Sequence, residues 1–227
     1  MKTLFALILA FTGAPPVLPQ AVTQSSAPVK DLNTLIDGVD KTFASMKDFQ
    51  ARFIQFSKNP VNQSQRDEGL LYLTRDKKMR MDYNPPNEQQ WVSNGKTLYT
   101  YVPANHQVTQ DQVKDSMVEQ FPMMFLLGRS GLRKEFKEVV LLKVKPLFEG
   151  DQVLKLTPNR KSQEIERIEI EVHPRTNLID RMMILNTDKS STDFAFLDIA
   201  INSNIPASKF EFTPPPGIRV IQGAGSK

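Results

Sequence analysis

The sequence predicts a mainly β domain with helices (α+β), in which about ten or eleven antiparallel strands form a strongly curved sheet or partial barrel. Three observations predict this fold class. Apolar and polar residues alternate with a period of two over most of the chain after Phe49. Turn-forming residues separate these stretches, and the clearest pair, Asn94-Gly95, favours a tight hairpin. Two segments, 31–46 and 113–128, instead carry apolar residues at helical spacing.

The N-terminus has the layout of a secretory signal peptide. Lys2 precedes an apolar run from Leu4 to Phe11, and small residues and prolines follow. The run is about half as long as the ~20 residues that a membrane-spanning helix needs. We therefore expect residues 1–21 to be cleaved, with Ala14 as a less favoured cleavage position because a proline follows it. Residues 22–30 are polar, which predicts a flexible leader.

The first structural element predicted is an amphipathic helix of about four turns. Asp31 precedes it and is placed to cap its first turn. Its apolar residues at helical spacing are Leu32, Leu35, Ile36, Val39, Phe43 and Met46. An apolar helix face of this kind needs to be buried, so we expect it to pack against the sheet.

A long series of predicted strands follows the helix. The first three cover Phe49 to Phe53, Gly69 to Arg75 and Met79 to Tyr83, and the hairpin strands are 91–93 and 97–102. Further strands are predicted at 106–109, 139–146, 152–157, 164–172, 178–187, 192–201 and 209–213. So many strands in one run imply strong curvature of the sheet.

A helical pair interrupts the strands at residues 113–128. Pro122 must start a new turn or a kink, and the residues after it are apolar nearly all round. We interpret the pair as a plug or lid over the concave face of the sheet, with an ordinary packing helix as the alternative. One domain is therefore expected over residues 31–221, followed by a flexible tail at 222–227.

The residues that commonly carry catalysis are scarce. The chain has no cysteine, and its two histidines, His106 and His173, lie in turn-rich stretches without the spacing of a metal site. Gly128-Arg129-Ser130-Gly131 lacks the glycine spacing of a serine nucleophile elbow. The net charge of +4 is spread in short basic blocks, which does not favour nucleic-acid binding. We predict no enzyme activity, no metal and no cofactor.

Five motifs, specific when taken together, point to one family. They are Arg75; Arg80-x-x-Tyr83-x-x-Pro86; the hairpin from Trp91 to Leu98; the segment Pro122 to Gly128; and Phe210-x-Phe212-Thr213-Pro214-Pro215-x-Gly217. From about Asp31 to Val220 the chain resembles the periplasmic outer-membrane lipoprotein carrier family, LolA. The resemblance implies an unclosed antiparallel β-barrel of about eleven strands, covered by the N-terminal helix and an inserted helical lid.

The same resemblance implies a function and partners. The expected protein is a monomeric periplasmic carrier that takes acylated lipoproteins from an inner-membrane ATP-driven release complex and passes them to an outer-membrane receptor. Each CH₂ group hidden from water contributes about 0.8 kcal/mol, so long acyl chains need such a carrier to cross an aqueous compartment.

The predicted binding site is an apolar cavity between sheet and lid. Its predicted sheet residues are Phe53, Leu71, Leu73, Arg75, Met79, Met81, Tyr83, Trp91, Tyr99 and Tyr101. Its predicted lid residues are Phe121, Met123, Met124, Phe125, Leu126 and Leu127. Methionine suits a wall that repacks around flexible apolar ligands, although it also fills gaps in a dry core.

Arg75 is the predicted latch of this cavity. It shares the parity of Leu71 and Leu73, so the strand itself points an arginine toward an apolar face. A charge there needs carbonyl or carboxylate partners, and the resemblance implies that the lid supplies them until a lipoprotein arrives. The alternative is an arginine that reaches into water from a strand end. Asp76 stands where the family usually has proline, and a pairing of Asp76 with Arg75 or Lys77 would loosen the latch.

Of four other functions, two share this fold and two are disfavoured by the sequence. A carrier of another amphiphile, such as a glycolipid, and an envelope lipid sensor would share the fold and stay open as alternatives. An integral outer-membrane barrel would need an apolar outer surface, whereas the outer parity here carries Arg80, Asp82, Glu169 and Glu171. A secreted hydrolase would need an acid–base pair, for which the sequence gives no sign.

Overall fold

The computed structural model describes residues 29–113, 131–159 and 165–223. These residues form two α-helices and twelve strands: α1 (Leu32–Ser45), β1 (Asp48–Lys58), β2 (Ser64–Thr74), β3 (Lys78–Tyr83), β4 (Gln90–Asn94), β5 (Thr97–Val102), β6 (Gln107–Gln112), α2 (Leu132–Glu135), β7 (Phe136–Leu142), β8 (Gln152–Pro158), β9 (Ile165–Val172), β10 (Ile179–Asn186), β11 (Ser191–Ile201) and β12 (Arg219–Gln222). Short 3₁₀ turns occupy Pro103–Asn105 and Ala207–Phe210. No helix in this described part is long and apolar enough to cross a membrane.

All twelve strands belong to one sheet, in the order β12-β6-β5-β4-β3-β2-β1-β11-β10-β9-β8-β7. Neighbouring strands are antiparallel, except that β12 runs parallel to β6. Within the described residues β12 and β7 are the two edges, so the curved sheet is not closed into a full barrel. The predicted fold class, a mainly β protein with an unclosed and strongly curved sheet, is confirmed.

Two of the predicted strands differ from the structure. Residues 209–213 do not form a strand: Ala207–Phe210 is a 3₁₀ turn, and the last strand, β12, lies further along the chain. Prolines before and after this stretch, including Pro214, remove backbone donors that a strand ladder needs. The strand predicted at 139–146 is instead β7, which begins at Phe136 and ends at Leu142.

Helix α1 begins as predicted. The Asp31 carboxylate accepts hydrogen bonds from the backbone N–H groups of Asn33 and Thr34, at 3.0 and 3.1 Å. The buried residues of the helix are Leu35, Ile36, Val39 and Phe43, as its periodicity predicted. They belong to the same hydrophobic core as one face of the sheet, so α1 covers that face.

The strand register assigns this covered face. Phe53 in β1 lies opposite Gly69 in β2, which lies opposite Tyr83 in β3. We call the face that carries Phe53 and packs against α1 the concave face, and the other the convex face. Lys30, within the predicted leader, exchanges backbone hydrogen bonds of 2.8 Å with the Gln152 side chain, so the N-terminal end of α1 is tied to β8.

The convex face is covered in part by residues 202–218, which we call the strap. The Asp48 carboxylate accepts backbone hydrogen bonds from Ser203 and Asn204, at 2.8 and 3.0 Å, and so anchors the start of the strap. Further on, Arg80 donates to the Lys209 carbonyl at 3.3 Å. The strap thus carries the chain from β11 across the sheet to β12, next to β6.

A second covered region lies on the convex face at β9 and β10. Glu171 is buried and accepts hydrogen bonds of 2.8 and 3.0 Å from the backbone N–H groups of Leu147 and Phe148. Arg181 bridges Glu171 and Asp193, at 2.7 and 2.6 Å. The Asp193 and Glu171 carboxylates raise the pKa of Arg181 further above its usual value, although burial opposes them. This ion network holds the loop between β7 and β8 against the sheet.

Candidate ligand-binding face

The concave face is apolar over most of its width. Its fully buried side chains in the first half of the sheet include Phe49, Phe53, Leu71, Leu73, Met79 and Met81. Edge-to-face aromatic contacts join Phe53 to Tyr83, with ring centroids 5.0 Å apart, and to Phe194, at 6.0 Å. In this state the face is a packed core beneath α1, so a ligand can reach it only if its cover moves.

Most of the predicted sheet residues do lie together. The register places Phe53, Leu71, Leu73, Met79, Met81 and Tyr83 on the concave face. Trp91 lies opposite Met81 on the same face, half-buried, with its ring 6.1 Å from Tyr83. The shared face follows from strict alternation in β2 and β3.

Tyr99 and Tyr101 were placed on the wrong face. Tyr99 pairs with Val92 and Tyr101 with Gln90, and both partners are on the convex face. There the two tyrosine rings contact Phe212 of the strap, at 5.3 and 6.1 Å. They pack under the strap and do not line the concave face.

The second half of the sheet contributes concave-face residues that are not among the predicted binding-site residues. The buried residues with this parity are Leu154, Leu156, Ile168, Ile170, Met182, Ile184, Phe194 and Phe196. The signal was present in the alternation of β9, where Ile168 and Ile170 alternate with charged residues. What was missing was the register that connects β11 to β1 and so fixes the shared face.

Arg75 bonds to the end of helix α1. Its Nε donates to the carbonyl oxygen of Met46 and its Nη2 to that of Phe43. These carbonyls belong to the last turn of the helix and its cap, at the negative end of the helix dipole, and the Phe43 carbonyl also accepts the Met46 N–H at 3.4 Å. The half-buried guanidinium therefore fastens α1 to the sheet.

Asp76 pairs with its own neighbours. Lys78 forms an ion pair with it at 2.6 Å, and the Thr74 hydroxyl donates to it. Partial burial raises the pKa of Asp76, but the bonds from Lys78 and Thr74 outweigh it and leave the pKa below its ordinary value. The carboxylate is thus engaged by Lys78, while Arg75 bonds to helix carbonyls.

The predicted lid residues Phe121, Met123, Met124, Phe125, Leu126 and Leu127 lie outside the described residues, as does the signal peptide at 1–21. The described chain stops at Val113, whose N–H donates to the Lys96 carbonyl at 2.8 Å. It resumes at Gly131, next to α1, where the Leu132 N–H donates to the Asp40 carboxylate at 2.7 Å. The described residues on either side of this segment therefore lie next to β6 and beside α1.

One end of the concave face is polar. The Tyr83 hydroxyl donates to Gln55 Oε1 at 2.8 Å, and the buried Asp67 carboxylate accepts from Gln65 and Asn87, each at 2.8 Å. Burial, together with the negative charge of Asp67, raises the pKa of Tyr83 well above its ordinary value. Polar side chains therefore border the apolar surface at this end.

The described residues contain no group of three or more His, Asp or Glu side chains placed to hold a metal ion. Nδ1 of His173 accepts backbone hydrogen bonds from Arg175 and Thr176, at 3.3 and 3.2 Å. This histidine therefore stabilises the turn between β9 and β10.

An unclosed sheet with a broad apolar concave face under a helix defines the class of half-barrel proteins suited to apolar ligands. The model of the family "Outer membrane lipoprotein carrier protein LolA" matches residues 44–213, and the chain belongs to this family.

Sequence identity to individual members of the family is low. The chain is 27% identical to an outer-membrane lipoprotein carrier protein of Pseudomonas aeruginosa, over 98% of each chain. It is 26% identical to a protein of the same name from Cupriavidus pinatubonensis, over 88% of this chain and 90% of that one. Among solved structures, an uncharacterized conserved protein from Thermus thermophilus aligns with a TM-score of 0.53 at 13% identity, covering 84% of this chain and 98% of that one. This last likeness concerns the fold alone.

Proposed function

We propose that the protein is a periplasmic carrier that shelters the acyl chains of lipoproteins on its concave face. Membership of the lipoprotein carrier family and the width of the apolar surface support this. Burying one CH₂ group contributes about 0.8 kcal/mol, so a chain of about sixteen carbons gains on the order of 10 kcal/mol on such a surface. In the full cycle the carrier would collect its cargo from an inner-membrane ATP-driven release complex and deliver it to an outer-membrane receptor.

The observation that carries the proposal is the link between Arg75 and α1. The apolar face is already filled in this state, and the cover that α1 provides is held by a charged side chain bonded to two carbonyls of the helix end. Hydrogen bonds to a charged group contribute about 1.5–3 kcal/mol each. This is strong enough to keep an empty carrier closed and weak enough to be overcome by an incoming acyl chain.

The test uses the single tryptophan of the chain, Trp91, which lies on the concave face against Tyr83. Delipidated mature protein is titrated with a triacylated lipopeptide and with the same peptide lacking acyl chains, and tryptophan fluorescence is recorded. We expect a saturable change with the acylated peptide only. Equal responses to both peptides, or none, would overturn the carrier function.

The latch is tested by Arg75→Leu with Arg52→Leu as the matched control. Arg52 is a partly exposed arginine of the same sheet that pairs with Asp198 on the convex side, at 3.2 Å. Loss of the bonds to α1 raises the population of open protein, so we expect Arg75→Leu to bind the lipopeptide at least about tenfold more tightly. Arg52→Leu should bind like the wild type. Identical affinities for the two variants would refute the latch but leave the carrier function standing.

The cargo itself is tested by lipid extraction and native mass spectrometry of protein purified from its host. Co-purified lipoprotein supports the proposal. A bound glycolipid would keep the fold and the apolar site but replace the cargo.

A further inference from the structure

The concave face changes from apolar to polar along its strands. Concave residues of β1 run Phe49, Ala51, Phe53, Gln55, Ser57, and the paired residues of β2 run Leu73, Leu71, Gly69, Asp67, Gln65. The apolar part lies at the end where α1 leads into β1, and the polar part lies at the opposite end. An amphiphile bound along these strands therefore has one favoured direction, with its chains on the apolar part and its head group among the polar residues.

Asp67 is the charged residue of this polar end. It is 6% exposed, and the partners described for it are the neutral side-chain amides of Gln65 and Asn87. Neutral donors compensate a buried carboxylate less than a cation does, so its negative potential extends to nearby groups. Gln55 lies opposite Asp67 on the neighbouring strand, and its side-chain amide accepts the hydrogen bond from the Tyr83 hydroxyl.

We propose that Asp67, Gln55 and Tyr83 form a head-group site that favours N–H donors, such as the amide or ammonium of an acylated N-terminal residue, and rejects anionic head groups. The proposal rests on the carrier function and adds a selectivity to it. The carboxylate accepts hydrogen bonds from an N–H group and repels a phosphate placed at the same depth. A carrier working beside a membrane thereby avoids filling its apolar face with anionic phospholipids.

The experiment compares four single-chain probes of equal chain length: a palmitoylated peptide, monopalmitoylglycerol, palmitoyl lysophosphatidylcholine and palmitoyl lysophosphatidylglycerol. Each is titrated below its critical micelle concentration, with Trp91 fluorescence as the readout. The wild type should bind the anionic lysophosphatidylglycerol most weakly. Asp67→Asn, which keeps the size and most hydrogen bonds of the side chain, should bind it about tenfold more tightly and bind monopalmitoylglycerol unchanged.

Two further variants separate charge at this site from other effects. Asp198→Asn removes a negative charge that pairs with Arg52, away from the concave face, and should leave all four affinities unchanged. Gln55→Glu retains an acceptor for the Tyr83 hydroxyl, adds a second negative charge and should weaken lysophosphatidylglycerol binding further. It keeps the proposal testable if Asp67→Asn does not fold.

The outcomes are distinct from those of the carrier function. If the wild type binds acylated probes but Asp67→Asn and Gln55→Glu leave the ratio of anionic to neutral affinity unchanged, the head-group site is refuted and the carrier function survives. If Asp67→Asn changes all four affinities by the same factor, Asp67 acts only in holding Asn87 and the β3–β4 loop, and the proposal fails. If the wild type binds none of the acylated probes, both fail.

Discussion

Substituting Asp151 by asparagine should stabilise the protein, and should do so more strongly as the pH rises. Asp151 is 7% exposed, and its carboxyl group shares a hydrogen bond with that of Asp180, which requires a proton on one of the two acids. Burial, together with the negative charges of Asp180 and Glu171, raises the pKa of Asp151 from 3.8 to about 7. The folded protein therefore favours the protonated acid, whereas the unfolded chain ionises freely.

The sign follows from proton linkage. Because the folded-state pKa is the higher one, the favourable contribution of Asp151 is fully present below about pH 4 and is lost as the pH rises to about 7. The shift of about three pH units corresponds to about 4 kcal/mol in total, at 1.36 kcal/mol per unit. Of this, up to about 3 kcal/mol falls between pH 5 and pH 8.5. Asparagine mimics the protonated acid and does not incur this loss.

The assay is urea unfolding of wild type and Asp151→Asn at pH 5, 7 and 8.5, followed by tryptophan fluorescence. The variant's advantage in unfolding free energy should grow by about 2–3 kcal/mol over this range. Glu149→Gln, in the same loop but exposed, serves as the control and should show little growth. A difference between Asp151→Asn and wild type that stays constant with pH would refute the reasoning.

Two predictions concern packing. Phe210→Ala should lower the unfolding free energy by about 3–5 kcal/mol, because its 2% exposed ring fills the space under the strap, yet lipopeptide affinity measured on the folded variant should be unchanged. Gly69→Ala should destabilise the fold by more than about 2 kcal/mol in urea unfolding, because the new methyl group would collide with the backbone carbonyl of Asp82. Gly38→Ala serves as the control, because the new methyl group there would collide with the movable side chain of Asn177. The unfolding free energy should therefore fall less than for Gly69→Ala. Equal losses of unfolding free energy at both glycines would contradict this explanation.

Strict alternation made part of the candidate site predictable. In β3, Met79, Met81 and Tyr83 alternate with Arg80 and Asp82, so the parity alone separates a buried face from a solvated one. The cap at the start of α1 was predictable for a similar reason, because it depends on residues adjacent in sequence. The sequence pattern is sufficient where one face of a helix or strand is buried and the other is exposed to solvent.

The two tyrosines of β5 show where alternation along a strand does not identify the buried face. This strand is covered on both faces, by the core at Leu98 and by the strap at Tyr99 and Tyr101, so large apolar residues occur at both parities. No alternation then identifies the concave side. The strap itself is held by contacts between residues far apart in sequence, such as that of Asp48 with Ser203.

Arg75 illustrates a different limit. Its parity toward an apolar face was evident, but its partners are backbone carbonyls at the end of α1, and every residue type carries such a carbonyl. A backbone carbonyl partner therefore cannot be identified from the residue types of the sequence or from their spacing. Identifying it required the position of the helix on the sheet.

The parallel pairing of β12 with β6 shortens one open edge of the sheet. An open sheet exposes rows of unpaired backbone groups at its edges, and long flat edges recruit strands from other molecules into aggregates. Among the described strands β6, with six residues, would form this edge without β12, which has four residues and begins with the exposed Arg219. A short, charged edge strand offers few sites for a foreign strand to extend the sheet. We therefore expect β12 to disfavour fibril-like growth from this edge of an open sheet.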